Sequence, residues 1–280
     1  MNGTVLTTGH GLVESPRWHD GRLWFSDWTA GRILAVDETG TTEVMVRHGG
    51  LPLCFDFLPD GRPIVVSNLE HALLTVEADG ALAHYADLTP VSPLGCNDIT
   101  VDRSGRVYVN SPNFDFAAGP PPGERSPGVV GLVTPDGRAR VVAEDLAFPN
   151  GMAVTADGST LIVAESYRNR LTAFEIDSGG SLSGRRTWAD LDADHPDGIQ
   201  LDRENAVWYA DVGARHCVRV AEGGQVLDTV ELDRGAFACA LDPAGRLFVV
   251  AAHWPGPQRL ADFADWDGQL VRFDRIAGRE

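Results

Sequence analysis

The sequence predicts an all-β chain folded as a six-bladed β-propeller, and three observations carry that expectation. Glycine or asparagine turns recur at Gly21, Gly61, Gly105, Gly158, Asn205 and Gly245, spaced 40, 44, 53, 47 and 40 residues apart. A period of this size marks stacked supersecondary units. Each turn is followed by two or three short apolar or alternating runs, and helical periodicity is hard to find. Units of about four strands at this spacing match propeller blades.

The runs fall in order. Directly after the turns come RLWFSD, PIVVSN, RVYVNS, LIVAES, VWYAD and RLFVVAA. A second set follows: RILAVD at 32–37, LLTVEA at 73–78, GLVTPD at 131–136, LTAFEID at 171–177, CVRVAE at 217–222 and LVRFD at 270–274. A third set, TTEVMV, ALAHYA, ARVVAE, GRRTWA and QVLDTVEL, completes five units. The sixth lacks an outermost strand. TVLTTG at 4–9 is predicted to supply it and close the ring, covering an otherwise open sheet edge. Residues 1–280 then form a single propeller domain; a large β-sandwich or β-helix is the alternative.

Bulk properties narrow the partners. Of 280 residues, 43% are hydrophobic and 22% charged, enough to bury a sizeable core. The net charge of −17 argues against nucleic acid and anionic membranes, which need clustered lysine and arginine. No apolar run reaches the length of a membrane span, and MNGTVLTTGH lacks the basic and apolar pattern of a signal peptide. Cys54, Cys96, Cys217 and Cys239 are scattered and read as reduced, packed thiols of a cytoplasmic protein.

Four polar residues stand at nearly one position of the repeat. Glu14, Asn97, Asn150 and Asp197 each precede their turn position by seven or eight residues. Equivalent positions of a closed repeat converge on its axis. The other two blades have apolar residues there, at about Leu53 or Cys54 and at Phe237. Two carboxylates and two amide oxygens, without thiolate or imidazole, form a donor set for a hard divalent cation. Calcium suits it best, with magnesium, manganese or zinc as alternatives. The same residues also suit the polar lining of a water channel.

Strand direction sorts the loops. The second strand of each blade returns to the face on which the four residues lie. The loops at Trp28, 67–71, 110–127, 166–169, 212–216 and 253–258 therefore share that face. The third, NSPNFDFAAGPPPGERSPG, is the longest and reads as a lid or specificity element. Phe114, Phe116 and Tyr167, with Trp28 and Trp254, are candidates for an apolar substrate pocket. His71, His216 and His253 lie on the same face. No G-x-S-x-G elbow is present.

The stretches GLVESPRWHDGRLWFSD, CNDITVDRSGRVYV, FPNGMAVTADGSTLIVAES, PDGIQLDRENAVWYAD and FACALDPAGRLFVVAA resemble, in order and at the right separations, the gluconolactonase / senescence marker protein / luciferin-regenerating enzyme family, to which diisopropylfluorophosphatase is related. The resemblance implies a six-bladed propeller with one divalent metal in its central channel. It makes Glu14, Asn150 and Asp197 metal ligands and Asn97 a ligand or substrate contact. Gly95 departs from the pattern, because sugar-lactonase members often carry a substrate arginine there. A smaller or more apolar lactone or ester then becomes the better candidate.

The function read from this is metal-assisted hydrolysis of a lactone or related ester. The cation polarises the carbonyl, and Asp197 is the candidate general base. Attack by an ion-bound water stays open. Two alternatives use the same scaffold: metal-dependent cyclisation or isomerisation of a biosynthetic intermediate, and small-molecule binding without catalysis.

Overall fold

Among the described residues of the computed structural model, twenty-four strands form six four-stranded antiparallel sheets. It describes residues 3–115, 126–256, 259 and 265–274. The N-terminal strand β1 spans Thr4–His10. The first blade is β2 (Val13–His19), β3 (Arg22–Asp27), β4 (Arg32–Val36) and β5 (Thr42–Arg47). The second is β6 (Phe55–Phe57), β7 (Pro63–Ser67), β8 (Ala72–Val76) and β9 (Leu82–Asp87). The third is β10 (Ile99–Val101), β11 (Val107–Ser111), β12 (Gly128–Val133) and β13 (Ala139–Leu146). The fourth is β14 (Pro149–Val154), β15 (Thr160–Glu165), β16 (Arg170–Ile176) and β17 (Leu182–Asp190). The fifth is β18 (Pro196–Leu201), β19 (Val207–Asp211), β20 (His216–Val220) and β21 (Val226–Glu231). The sixth is β22 (Gly235–Leu241), β23 (Leu247–Ala252) and β24 (Gly268–Phe273), with β1 as its outermost strand. The predicted closure is therefore present: β1 pairs antiparallel with β24.

The core lies between blades. Trp24 and Ile33 of the first blade meet Phe55 and Val65 of the second, and Tyr108 and Leu132 of the third meet Leu161 and Phe174 of the fourth. Similar apolar clusters join the remaining neighbours, including the sixth blade to the first through Phe248, Val250, Leu23 and Phe25. Each blade packs on both faces, so its middle strands read as apolar runs rather than alternations. Full burial of a side chain such as Phe25 or Phe55 contributes roughly 1.5–3 kcal/mol.

The far-face turns follow local chemistry. In the third, Asp102 Oδ1 accepts from the Ser104 and Arg106 amides at 2.8 and 2.9 Å. Asn205 adopts φ 60° where other blades have glycine, as asparagine tolerates the left-handed region. The opposite ends of the inner strands are irregular. Register shifts interrupt β2 between Glu14 and Arg17, β14 between Pro149 and Met152, and β18 between Pro196 and Ile199. Such bulges re-aim side chains, often beside functional sites.

Candidate metal-binding active site

The bulges turn the predicted residues toward one place. Glu14 pairs with Ser26, and Pro149 and Pro196, just before Asn150 and Asp197, pair with Glu165 and Asp211. Asn97 donates its amide to the Asn110 carbonyl at 2.7 Å, which puts it level with Glu14. The sixth blade's counterpart is Ala236, paired with Ala251. That shifts the expected apolar position from Phe237 to its neighbour, because the bulge falls at Phe237 itself. Close approach of the inner strands explains the P-N-G and P-D-G words: a Cβ on Gly151 would lie 2.4 Å from the Ile199 amide nitrogen, and one on Gly198 2.7 Å from the Ala238 Cα.

The four residues are half-buried and electrostatically joined. Asn97 Nδ2 donates to Asn150 Oδ1 at 3.0 Å, and Asn150 Nδ2 lies 3.4 Å from Ser166 Oγ, whose hydroxyl donates to the Pro196 carbonyl just before Asp197. Glu14 Oε2 accepts from the Ser15 amide at 2.7 Å. Ser15 sits at φ 50°, where the bulge lets Glu14 face the axis. Burial, and then the charge of Asp98, push the Glu14 carboxyl up to about 8. Asp197 is also raised well above the usual carboxylate range, by burial first and then by Glu14 and Asp98.

Asp98, next to Asn97, is a further acidic member that the common offset does not pick out. It does accept from the Ile99 amide at 2.8 Å, but it also faces Glu14 and Asp197, and burial raises it to about 6. Arg17 partly answers these charges. Its Nη2 lies 3.7 Å from Asp98 Oδ1 and its Nε 3.4 Å from Asp56 Oδ1. A charged residue three positions after Glu14 on an inner strand was the available signal. Cys54 Sγ donates to the Asn97 carbonyl at 2.6 Å. Three carboxylates with one adjacent guanidinium leave a negative excess that a divalent cation would neutralise, so the donor set fits such an ion.

Buried carboxylates also hold the entries to these strands. Asp27 accepts from the Gly11 amide at 3.3 Å, Glu165 from Ala147 at 2.8 Å, and Asp211 from His195 at 2.6 Å. Burial works against charge at Asp27, yet His10, with Nδ1 3.8 Å away, and hydrogen bonds from Arg32 and Thr29 hold it at about 2. Glu165 is likewise kept low against its burial, with Thr172, Ala147 and Arg170 donating to it.

The predicted aromatic residues divide. Phe114, Phe148 and Tyr167 form a patch beside Asn150, with ring centroids 4.8 to 6.4 Å apart. Trp254 instead packs with Phe237 and Trp266, and Trp28 Nε1 donates to Ser26 Oγ at 3.0 Å. Phe116 and most of the long third loop lie outside the described residues. Among the histidines, His216 Nε2 is 2.8 Å from Asp194 Oδ2, His71 Nδ1 is buried without a partner, and His253 is exposed. Asp194, Asp211 and His216 bring ligand atoms within 4.8 Å of one another. Their atoms are already engaged by Tyr209, His195 and Ala214, which reads as a hydrogen-bonded loop anchor. A cavity of about 960 Å³ opens on the far face between Asp202, Arg219 and Asp242, and none of the four predicted residues lines it.

Fold and strand register together define a six-bladed propeller with polar and acidic side chains at one end of its inner strands. A family model for the SMP-30/Gluconolactonase/LRE-like region matches residues 12–253, and the chain belongs to that family. Diisopropyl-fluorophosphatase of Loligo vulgaris is 30% identical over 70% of this chain and 68% of its own length. L-arabinolactonase of Azospirillum brasilense is 29% identical over 80% and 75%. Among solved structures, the luciferin-regenerating enzyme superposes with a TM-score of 0.81 at 18% identity, covering 99% of this chain and 96% of that one. A calcium-binding protein, regucalcin, of Agrobacterium tumefaciens gives 0.76 at 21%, covering 98% and 96%. Among the described residues no helix is long and apolar enough to cross a membrane.

Proposed function

We propose that this chain is a divalent-metal-dependent lactonase that hydrolyses a lactone or related ester at the axial ring. The observation that carries the reading is the grouping of Glu14, Asp98 and Asp197 with two amide side chains, on four separate blades and with one arginine beside them. Membership of a family with several relatives named as lactonases supports it. Glu14, Asn97, Asn150 and Asp197 would hold the ion, and calcium is the first candidate. When bound, such an ion polarises a carbonyl and neutralises the ring carboxylates.

The chain's own groups supply the rest. Asp197 is the general base: it holds the attacking water and takes its proton. Asn150 is held by Asn97 and faces Ser166, which anchors the Pro196 carbonyl beside the base. Asp98 adds negative potential, and Arg17 keeps that potential from exceeding what one divalent ion can balance. Metal and proton compete for the same raised carboxylates, so affinity rises with pH.

Metal-stripped protein should release no acid from γ-butyrolactone or phenyl acetate, and calcium should restore release in wild type but not in Asp197→Ala. Binding of calcium, seen by calorimetry, without turnover of any lactone or ester would instead favour a non-hydrolytic role.

A further inference from the structure

We propose that Arg17 is the resident cation of a second cation site among the inner strands, so that the native protein takes a single exchangeable metal ion. This rests on the axial metal reading and adds a positioning residue to it. The guanidinium is enclosed by oxygen. Its Nη2 donates to the Ile99 carbonyl at 2.8 Å, and its Nη1 to the Pro16 carbonyl at 3.1 Å. Asp56 Oδ1 lies 3.4 Å from Nε, and Asp98 Oδ1 lies 3.7 Å from Nη2. Two carboxylates and two backbone carbonyls are donors of the kind that hold calcium. Here the chain's own charge fills the place.

The acidic donors are held independently of the arginine. Asp56 accepts from the Phe57 amide on Oδ1 and from the Val101 amide on Oδ2, both at 2.8 Å. Asp98 Oδ1 accepts from the Ile99 amide at 2.8 Å. Ionised carboxylates have further lone pairs to offer. Loss of the guanidinium therefore leaves an oriented oxygen cage. The Arg17, Asp56 and Asp98 side chains are 20%, 16% and 15% exposed, which admits an ion and the waters that complete its shell. Burial opposes charge on Arg17, and Asp56, then Asp98, sustain it.

The contacts join three blades. Arg17 is on β2 of the first, Asp56 on β6 of the second, and Ile99 on β10 of the third. Glu14 precedes Arg17 on β2, and Asn97 and Asp98 lead into β10. Farther round, Asn97 reaches Asn150, and Ser166 reaches Pro196, by side-chain hydrogen bonds. Between the first and third blades the guanidinium spans the gap. It holds the Glu14 strand to the Asn97–Asp98 strand whether or not a metal is bound, because a covalently attached cation does not dissociate. It also repels a second divalent ion from the neighbourhood of the first.

Calcium titration by calorimetry tests this. Wild type should bind one ion. Arg17→Ala opens the cage and should bind two, the added ion with a dissociation constant of about 10⁻⁴–10⁻³ M, the weaker end of oxygen sites. Combining Arg17→Ala with Asp56→Asn should return the count to one, and Arg17→Lys, which keeps a charge, should stay at one. A merely structural arginine would lower the melting temperature in Arg17→Ala and leave the count unchanged. That result overturns the proposal, as does a wild type that binds two. Arg17→Gln is a milder opening with the same expected count. If neither Arg17→Ala nor Arg17→Gln folds even in excess calcium, an ion cannot stand in for the guanidinium and the proposal fails. If wild type binds no calcium, the axial metal reading fails, and the variants still decide this one. One ion in Arg17→Ala that is lost with Asp56→Asn supports it, and none refutes it.

Discussion

The inner strands carry acidic residues at both ends, and the two ends treat them oppositely. At the far face, Asp102, Asp202 and Asp242 each meet an arginine: Arg106 Nε at 2.6 Å, Arg219 Nε at 2.7 Å and Arg246 Nε at 2.6 Å. Turn amides complete their shells. At the axial site, Glu14, Asp98 and Asp197 face one another, with Arg17 the cation beside them, and all three carboxyls are raised. A carboxylate supplied with partners is part of the scaffold; one held among other carboxylates is waiting for a cation or a proton. A cavity of about 960 Å³ lies at the satisfied end, so a cavity and the strained carboxylates stand at different ends of the molecule.

Mutations can break this contrast. Asp197→Ala should lower kcat/KM by about 10³-fold, the range for losing a general base, while Asp242→Asn should leave activity unchanged and cost stability instead. The pairing of turnover assays with thermal melts checks both halves. Glu165→Gln, which strands the guanidiniums of Arg168, Arg170 and Arg185 around a buried site, should destabilise by about 3–5 kcal/mol in denaturant titration. Its effect on activity should follow from the disturbed entry to β14. Asp98→Asn should weaken calcium binding by about 10- to 100-fold in calorimetry without abolishing it, as expected of a group that acts around the ligands. An unchanged affinity would remove Asp98 from the site's charge balance.

Acidity sharpens the contrast further. Glu14, Asp98 and Asp197 have folded-state values above those of the unfolded chain, so the native state holds more protons between them. Their contribution to stability is then present at low pH and is lost as pH rises through the folded values, from about 4.5 to about 8 for Glu14. Metal-stripped protein should lose melting temperature across that window, and calcium should raise it more at pH 8 than at pH 5. Asp27, held at about 2, acts the other way: its contribution is present at neutral pH and fades only in strong acid. The smallest effect is expected from Gly95→Ala. Strain at φ +91° and the approach to Asn68 should cost about 1–2 kcal/mol. Destabilisation of that order in denaturant titration checks that contact.

The sequence by itself determined the blade count, the closing strand, the direction of each loop and the common offset of Glu14, Asn97, Asn150 and Asp197. Those properties are local and periodic: turn chemistry and strand alternation act over a few residues, and repetition copies a position from blade to blade. Tertiary structure alone decided the rest. It showed that Asp98 faces Glu14 and Asp197 from another blade, that the bulge puts Ala236 rather than Phe237 at the sixth equivalent position, and that Asn68 fills the space a side chain on Gly95 would need. It also joined Phe114, Phe148 and Tyr167 from three separate segments into one patch. Each of these depends on side chains meeting across blade boundaries, and burial and Coulomb interaction act through space, which the order of residues along the chain does not record.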